Sequence, residues 1–272
     1  TYAPNYALTD ISSTGAINNG AAGWFSAGPY SEPVIFFNDI KRTDKQKGIF
    51  GEIRMDVSDT SELTVGARWY DIEVDFEGSA NSSFSNGFGN TDQQKFGTNL
   101  SAQYAPGNAG GYPDTAGSDG VIGKITYSWN PSEDLMYYVT WSEGFRPGLL
   151  NRPVGRSNAA GTYSVKPVVE SDEVTNLEFG WKAVLADGKL RFNGSAFMVD
   201  VSGLQTTVFD PSIVNLFFSD NAADAEISGV EGDFIYIPEA EGWTISGAFS
   251  LLNTEITKSL VPTDDIKVGS DL

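Results

Sequence analysis

The sequence predicts an all-β fold, a partial antiparallel up-and-down transmembrane β-barrel with short periplasmic turns and long extracellular loops. Three observations carry that expectation. About eight strand-like segments follow one another along the chain. Their connections alternate between tight turns and far longer polar stretches, the loop pattern of a barrel that crosses a membrane with every strand. Within the segments, apolar and polar residues alternate with period two, which sets one face toward lipid and a wetter face toward an interior.

Composition points the same way. Aromatic residues make up 12% of the 272 residues and there are 30 glycines, a balance that favours strands and turns over helical faces. The formal charge of −19 argues against a nucleic-acid partner, because binding a phosphate backbone needs clustered Lys and Arg. The chain has no Cys and no His. Disulfides, thiolate metal sites and Cys nucleophiles are thereby excluded, and the commonest general base and metal ligand is missing. Catalysis is not expected, nor a resident cofactor or metal. No apolar run is long enough for a membrane helix, and a barrel shows none, since its strands alternate. The first residues lack the basic and apolar regions of a signal peptide, so the numbering is expected to begin inside a longer precursor.

Taken in order, residues 1–46, punctuated by Pro4, Gly20, Gly23, Pro29 and Pro33, read as the end of an extracellular loop. Residues 47–57 and 62–76 read as strands joined by the tight turn Ser58-Asp59-Thr60-Ser61. A long stretch rich in Gly, Asn and Ser follows, and then a pair at 121–129 and 135–145, linked through Asn130 and Pro131. The pair 173–185 and 190–201 turns at Asp187-Gly188, a strong hairpin signal. The last pair, 224–237 and 243–255, turns through Pro238 and Gly242, and 256–272 begin a further loop. Residues 47–255 thus form four hairpins of one partial barrel.

Parity assigns the faces. Leu63, Val65, Ala67 and Trp69 share one side of the second segment, and Thr64, Gly66, Arg68 and Tyr70 the other. In later segments Leu177, Phe179 and Trp181 likewise oppose Glu178, Gly180 and Lys182. Trp129, Tyr236 and Trp243 fall beside short turns, where a membrane-interface girdle needs amphipathic rings. The sixth segment breaks parity, with Leu190 and Phe192 even but Phe197, Val199 and Val201 odd, and a bulge near Gly194 would reconcile them. Asp71, Glu73 and Asp75 alternate on one face and offer oxygen ligands for Ca²⁺, although a hydrated face holds carboxylates without a metal.

Residues 138–152 (YVTWSEGFRPGLLNR) resemble the barrel of TonB-dependent outer-membrane receptors, where a strand reading like Y-x-S-x-S-E-G-F-R-P-G climbs into an extracellular loop. Residues 173–201 resemble the family's N-x-E-x-G-x-K…DG-x-L-x-x-N-x-A-x-F-x-x-D hairpin, and residues 225–232 (AEISGVEG) with 243–252 resemble its A-x-x-x-G-V-E…G-x-T-x-x-G strand pair. The resemblance implies a 22-stranded barrel blocked by a plug. About eight strands of it would be present here, in a fragment without the plug. It further implies residence in the Gram-negative outer membrane, contact with outer-membrane lipid, and energised uptake of a scarce ligand, most often a ferric siderophore. Energy would reach the plug from the TonB complex. Loop candidates for an anionic chelate are Arg146, Asn151, Arg152 and Arg156, with Tyr163 and Lys166, because guanidinium groups fork onto carboxylate or catecholate oxygens. The competing role for Arg146 is an ion pair with a lumen carboxylate such as Glu143 or Glu178. A passive channel and a soluble β-rich domain are the alternative functions.

Overall fold

The structure, a computed structural model, describes residues 36–82, 115–151, 157–210, 213, 217–240 and 242–261. In chain order the strands are β1 (Phe36–Ser58), β2 (Ser61–Ser82), β3 (Thr115–Ser132), β4 (Leu135–Arg146), β5 (Leu149–Leu150), β6 (Val168–Val169), β7 (Asp172–Leu185), β8 (Leu190–Val208), β9 (Phe218–Tyr236) and β10 (Ile245–Ser259). Eight of them make one antiparallel sheet in the order β1-β2-β3-β4-β7-β8-β9-β10, and β5 pairs with β6. Each long strand therefore neighbours the one before it in sequence, the up-and-down order expected of short hairpins. Among the described residues there is no helix, and in particular none long and apolar enough to cross a membrane.

Short turns collect at one end of the sheet. The expected Asp-Gly hairpin is present: Ala186, Asp187 and Gly188 have φ of 54°, 55° and 83°, and the Lys189 N–H donates to the Ala186 carbonyl at 3.2 Å. Central residues with positive φ match the twist of the flanking strands, which is why Asp-Gly is favoured there. Neighbouring hairpins are laced together at this end by Asn130 N–H to Thr60 O (2.7 Å), Val184 N–H to Asp134 O (2.8 Å) and Ile237 N–H to Lys189 O (2.8 Å).

Several strand ends differ from the sequence reading: β2 runs to Ser82 and β3 starts at Thr115, both inside the stretch expected as loop, while β8 runs on to Val208 and β9 starts at Phe218. Residues 36–46 are strand where a loop was expected, and β10 runs through 256–259, which were expected to lie in the next loop. The early part of β1 carries no apolar alternation because charges hold it to β2: Lys45 Nζ meets Glu73 Oε1 at 2.7 Å and Lys47 Nζ meets Asp71 Oδ2 at 3.0 Å. Glu73 and Asp71 are thus occupied by lysines, and no cluster of metal-ligating side chains exists among the described residues. Expected loop residues 1–35 and 262–272 lie outside the described residues.

Register turns the parity argument into two faces. Leu63, Tyr127, Val139, Phe179, Ala196 and Val230 are successive cross-strand partners, and so are Val65, Ile125, Trp141, Leu177 and Met198. Among the described residues no second layer covers them, and Val65, Ile125, Tyr127, Val139, Leu177, Phe179 and Met198 are all exposed. The opposite face is polar: Thr126 and Thr140 hydroxyls lie 2.9 Å apart, and the Tyr138 hydroxyl donates to Glu178 Oε1 at 2.6 Å. The Tyr138 ring covers Gly180, where a Cβ would sit 2.1 Å from Tyr138 Cζ.

The expected bulge near Gly194 is absent. The β7–β8 ladder is unbroken from Leu190 to Ser202, and the β8 irregularity with β9 lies at Val201 and Leu204. Parity instead holds through Gly194 and Ala196. Both sit on the apolar face with Phe192 and Met198, and the Trp181 ring covers Gly194, where a Cβ would come within 2.3 Å of Trp181 Cζ2. Phe197 points to the other face over Gly229, whose Cβ would lie 2.9 Å from Phe197 Cζ. A large ring on one strand fills what a glycine on the next leaves open.

The sheet also parts at its other end. The β3–β4 ladder stops at Lys124 and Ser142, whereas β2–β3 continues to Asp75 and Thr115, and β4–β7 to Arg146 and Asp172. In the gap the Gly123 N–H donates to Glu143 Oε2 at 2.8 Å, and Tyr70 stacks on Phe145 at 3.7 Å.

Candidate functional site

At the end away from the short turns, the connection from β4 to β7 folds back onto the sheet and builds the one densely packed region described. Arg146 closes β4. Its Nε donates to Asp172 Oδ2 at 2.8 Å, its Nη2 contacts the same oxygen, and Nη2 also reaches the Gln205 carbonyl at 3.0 Å. Arg146 therefore takes the expected structural carboxylate, but Asp172 holds it in place of Glu143 or Glu178. The reason is register, which sets Arg146 opposite Asp172. Gly148 then lets β5 approach β6 closely, since a Cβ there would lie 2.7 Å from the Val169 carbonyl.

A small turn brings the next group in. Asn158 Oδ1 accepts the Tyr163 N–H at 3.1 Å, Asn158 Nδ2 donates to Thr162 Oγ1 at 2.8 Å, and Gly161 supplies φ +71°. Tyr163 lands in an apolar cluster with Val165, Val208, Ile213, Phe218, Ala222 and Val261. Its hydroxyl donates to Asp220 Oδ2 at 2.7 Å, and Lys166 Nζ pairs with Asp220 Oδ1 at 3.2 Å. Burial pushes the Tyr163 phenol well above its usual range, and the bond to Asp220 pushes it further because that bond needs the proton.

Charge is arranged alike in both ion pairs. Asp172 and Asp220 are each 1% exposed, while the side chains of Arg146 and Lys166 are 56% and 57% exposed. Each carboxylate is sealed beneath a cation whose head remains accessible. Asn151 is different: it is 3% exposed, and its carboxamide is used up by the Lys166 carbonyl (2.9 Å) and by the carbonyl and N–H of Ser219 (2.7 and 2.8 Å). The structure thus brings Arg146, Asn151, Tyr163 and Lys166 to one mouth, with Asn151 and Tyr163 buried. Arg152 and Arg156 lie outside the described residues. Sequence reasoning missed Asp172 and Asp220, since nothing in the local pattern separates these carboxylates from the other members of a set of 36 acidic residues, and it missed the amides Gln205 and Asn221, which carry no pattern of their own.

The apolar face carries its own site. Rings run across it near the short turns as neighbouring pairs, Trp129–Tyr137 (5.9 Å), Tyr137–Phe179 (6.0 Å), Phe179–Trp181 (6.4 Å) and Trp181–Phe192 (5.6 Å). Trp129 and Trp243 are exposed and Tyr236 ends β9 opposite Leu190. Toward the other end the same face turns acidic in a single row in which Glu143, Thr175, Asp200 and Glu226 are successive partners. An apolar band is thereby bounded by rings on one side and carboxylates on the other.

A model of the TonB-dependent receptor-like β-barrel matches residues 3–272, nearly the whole chain. The chain belongs to the TonB-dependent receptor family. Among solved structures, this receptor chain resembles the ferric yersiniabactin uptake receptor of Yersinia pestis with a TM-score of 0.58 at 14% identity, over 84% of this chain and 29% of that one. It also resembles a siderophore receptor of Acinetobacter baumannii (0.53, 18% identity, 84% and 27%) and a copper transporter (0.56, 16% identity, 82% and 31%). At such identities the likeness is one of fold. The TonB-dependent receptor chain described here spans under a third of the length of these proteins.

Proposed function

We propose that this chain is a section of barrel wall in an outer-membrane receptor that takes up a scarce nutrient, a ferric siderophore before other ligands, by energy delivered from the TonB complex to a plug domain elsewhere in the protein. The observation that carries the ligand class is the pair of half-exposed cations, Arg146 and Lys166, each fixed at the mouth over a sealed carboxylate. In a chain of net charge −19, cations held this way favour an anionic chelate, because a preset donor loses little freedom when an oxygen ligand docks. The solved relatives of like fold include a ferric yersiniabactin uptake receptor and a siderophore receptor. The barrel contributes a wall and loop contacts to uptake and performs no chemistry.

The test uses the full-length protein in the outer membrane of iron-limited cells. We expect induction by iron limitation, binding of a ferric catecholate or hydroxamate, and uptake that stops when TonB is deleted. Lys166→Met should raise the half-saturating ligand concentration roughly tenfold, the loss of one charge-assisted hydrogen bond. Uptake that continues without TonB would identify a passive channel, and a monomer stable in detergent-free buffer would identify a soluble domain. Either result overturns the proposal.

A further inference from the structure

The β4–β7 connection is tied to β9 in an unusual way. The β9–β10 ladder ends at Ala223, so Ser219, farther along β9, has no β10 partner. Its backbone N–H and carbonyl are taken by the side chain of Asn151, at 2.8 and 2.7 Å. Two residues along, the arrangement is reversed. Asn221 of β9 extends its own side chain to the connection, accepting the Glu170 N–H at 2.9 Å and donating to the Glu170 carbonyl at 2.9 Å, with a further bond to the Gly203 carbonyl at 2.7 Å.

A carboxamide carries the donor and acceptor of a peptide unit in the same planar spacing. Each Asn therefore adds what amounts to one extra peptide group to an edge that would otherwise present orphan backbone groups. Because one surrogate belongs to the connection and the other to the sheet, moving the connection breaks both together. Gln205 reinforces the tie from β8, its Nε2 donating to the Pro147 and Glu170 carbonyls at 3.0 and 2.9 Å. From the other side Ser118 of β3 accepts the Gly148 N–H at 3.1 Å and meets the Ser171 hydroxyl at 2.7 Å. The segment is thus anchored across the mouth, to β3 at one side and to β8 and β9 at the other.

We infer that Asn151 and Asn221 act as reciprocal peptide surrogates that lock residues 147–151 and 157–171 onto β9 as a fixed strap, which holds Lys166 in place and does not swing as a lid. The strap is a standing part of the mouth. This inference rests on geometry alone and holds whatever ligand the receptor takes.

Hydrogen exchange on the full-length protein in detergent tests it. The amides of Asn151, Asn158, Tyr163 and Glu170 should be protected in the wild type, and Asn151→Asp and Asn221→Asp should each speed their exchange at least about tenfold, since the isosteric carboxylate cannot donate to the facing carbonyl. Wild-type amides that exchange as fast as a free loop, or variants that leave the rates unchanged, overturn the inference. A second measurement avoids disturbing the tie. Spin labels at Ala160→Cys and Ser202→Cys, in a chain that has no cysteine of its own, should report one narrow distance. A broad or multiple distribution overturns the strap.

Discussion

Asp220 shows how much one residue can organise. It is almost wholly buried, yet it carries a phenol hydroxyl and an ammonium, one on each oxygen. Tyr163→Phe removes the first of these, and we expect a loss of about 1–3 kcal/mol because a buried carboxylate oxygen is left without its donor; chemical unfolding of the full-length protein in detergent measures it. The pH dependence has a definite sign. The folded phenol ionises above its ordinary value of 10.0, so its contribution is complete below about pH 10 and is lost as the pH climbs toward the raised folded value. Limited proteolysis of the strap at rising pH should therefore show an alkaline opening in the wild type, with no such step in Tyr163→Phe. The sequence located Tyr163, Lys166, Arg146 and Asn151 through their distance from a recognisable strand end. Their roles were hidden, because the partners that decide them lie far along the chain: Asp172 meets Arg146 through strand register, and Asp220 and Ser219 of β9 meet Tyr163, Lys166 and Asn151 only once the β4–β7 connection folds back.

At the level of elements, turn chemistry and alternation were the legible signals. The Asp187-Gly188 hairpin sits where the dipeptide placed it, and Gly188 needs its φ of +83°. Gly188→Val should cost about 1–2 kcal/mol through backbone strain, read as a lower denaturant midpoint with unchanged ligand binding, since the turn lies at the end away from the mouth. Strand ends were less legible. Beyond the apolar band β1 and β2 continue on charge pairs such as Lys45–Glu73, which leave no alternation of apolar residues in β1. In β8 the apparent break in parity was real apolar character on both faces, Met198 on one and Phe197 on the other. The Trp181 ring packs over Gly194, a relation between strands that the sequence of β8 alone does not carry. Gly194→Ala should accordingly destabilise the β7–β8–β9 region by about 1–3 kcal/mol through overpacking, measured by the temperature at which the folded, heat-modifiable form disappears on a gel.

For the whole molecule, the governing property is the difference between its two faces. Leu177 and Val199 stand on adjacent strands but on opposite sides of the sheet, Leu177 pairing with Met198 and Val199 with Asn176. Leu177→Arg should cost about 2–4 kcal/mol in a bilayer, and Val199→Arg far less; denaturant titration in lipid vesicles distinguishes them, and equal costs would contradict the assignment of faces. The fold class followed from the sequence because this two-sidedness repeats in almost every hairpin. The proposed ligand did not, because loops, where binding contacts concentrate, carry no such repetition. One further consequence comes from the edges of the sheet, where β1 pairs only with β2 and β10 only with β9 among the described residues. A strand edge in hydrocarbon leaves a row of peptide groups unsolvated, while the apolar face in water is exposed to aggregation. Neither solvent tolerates a half-assembled wall, so strand pairing and entry into the bilayer must advance in step.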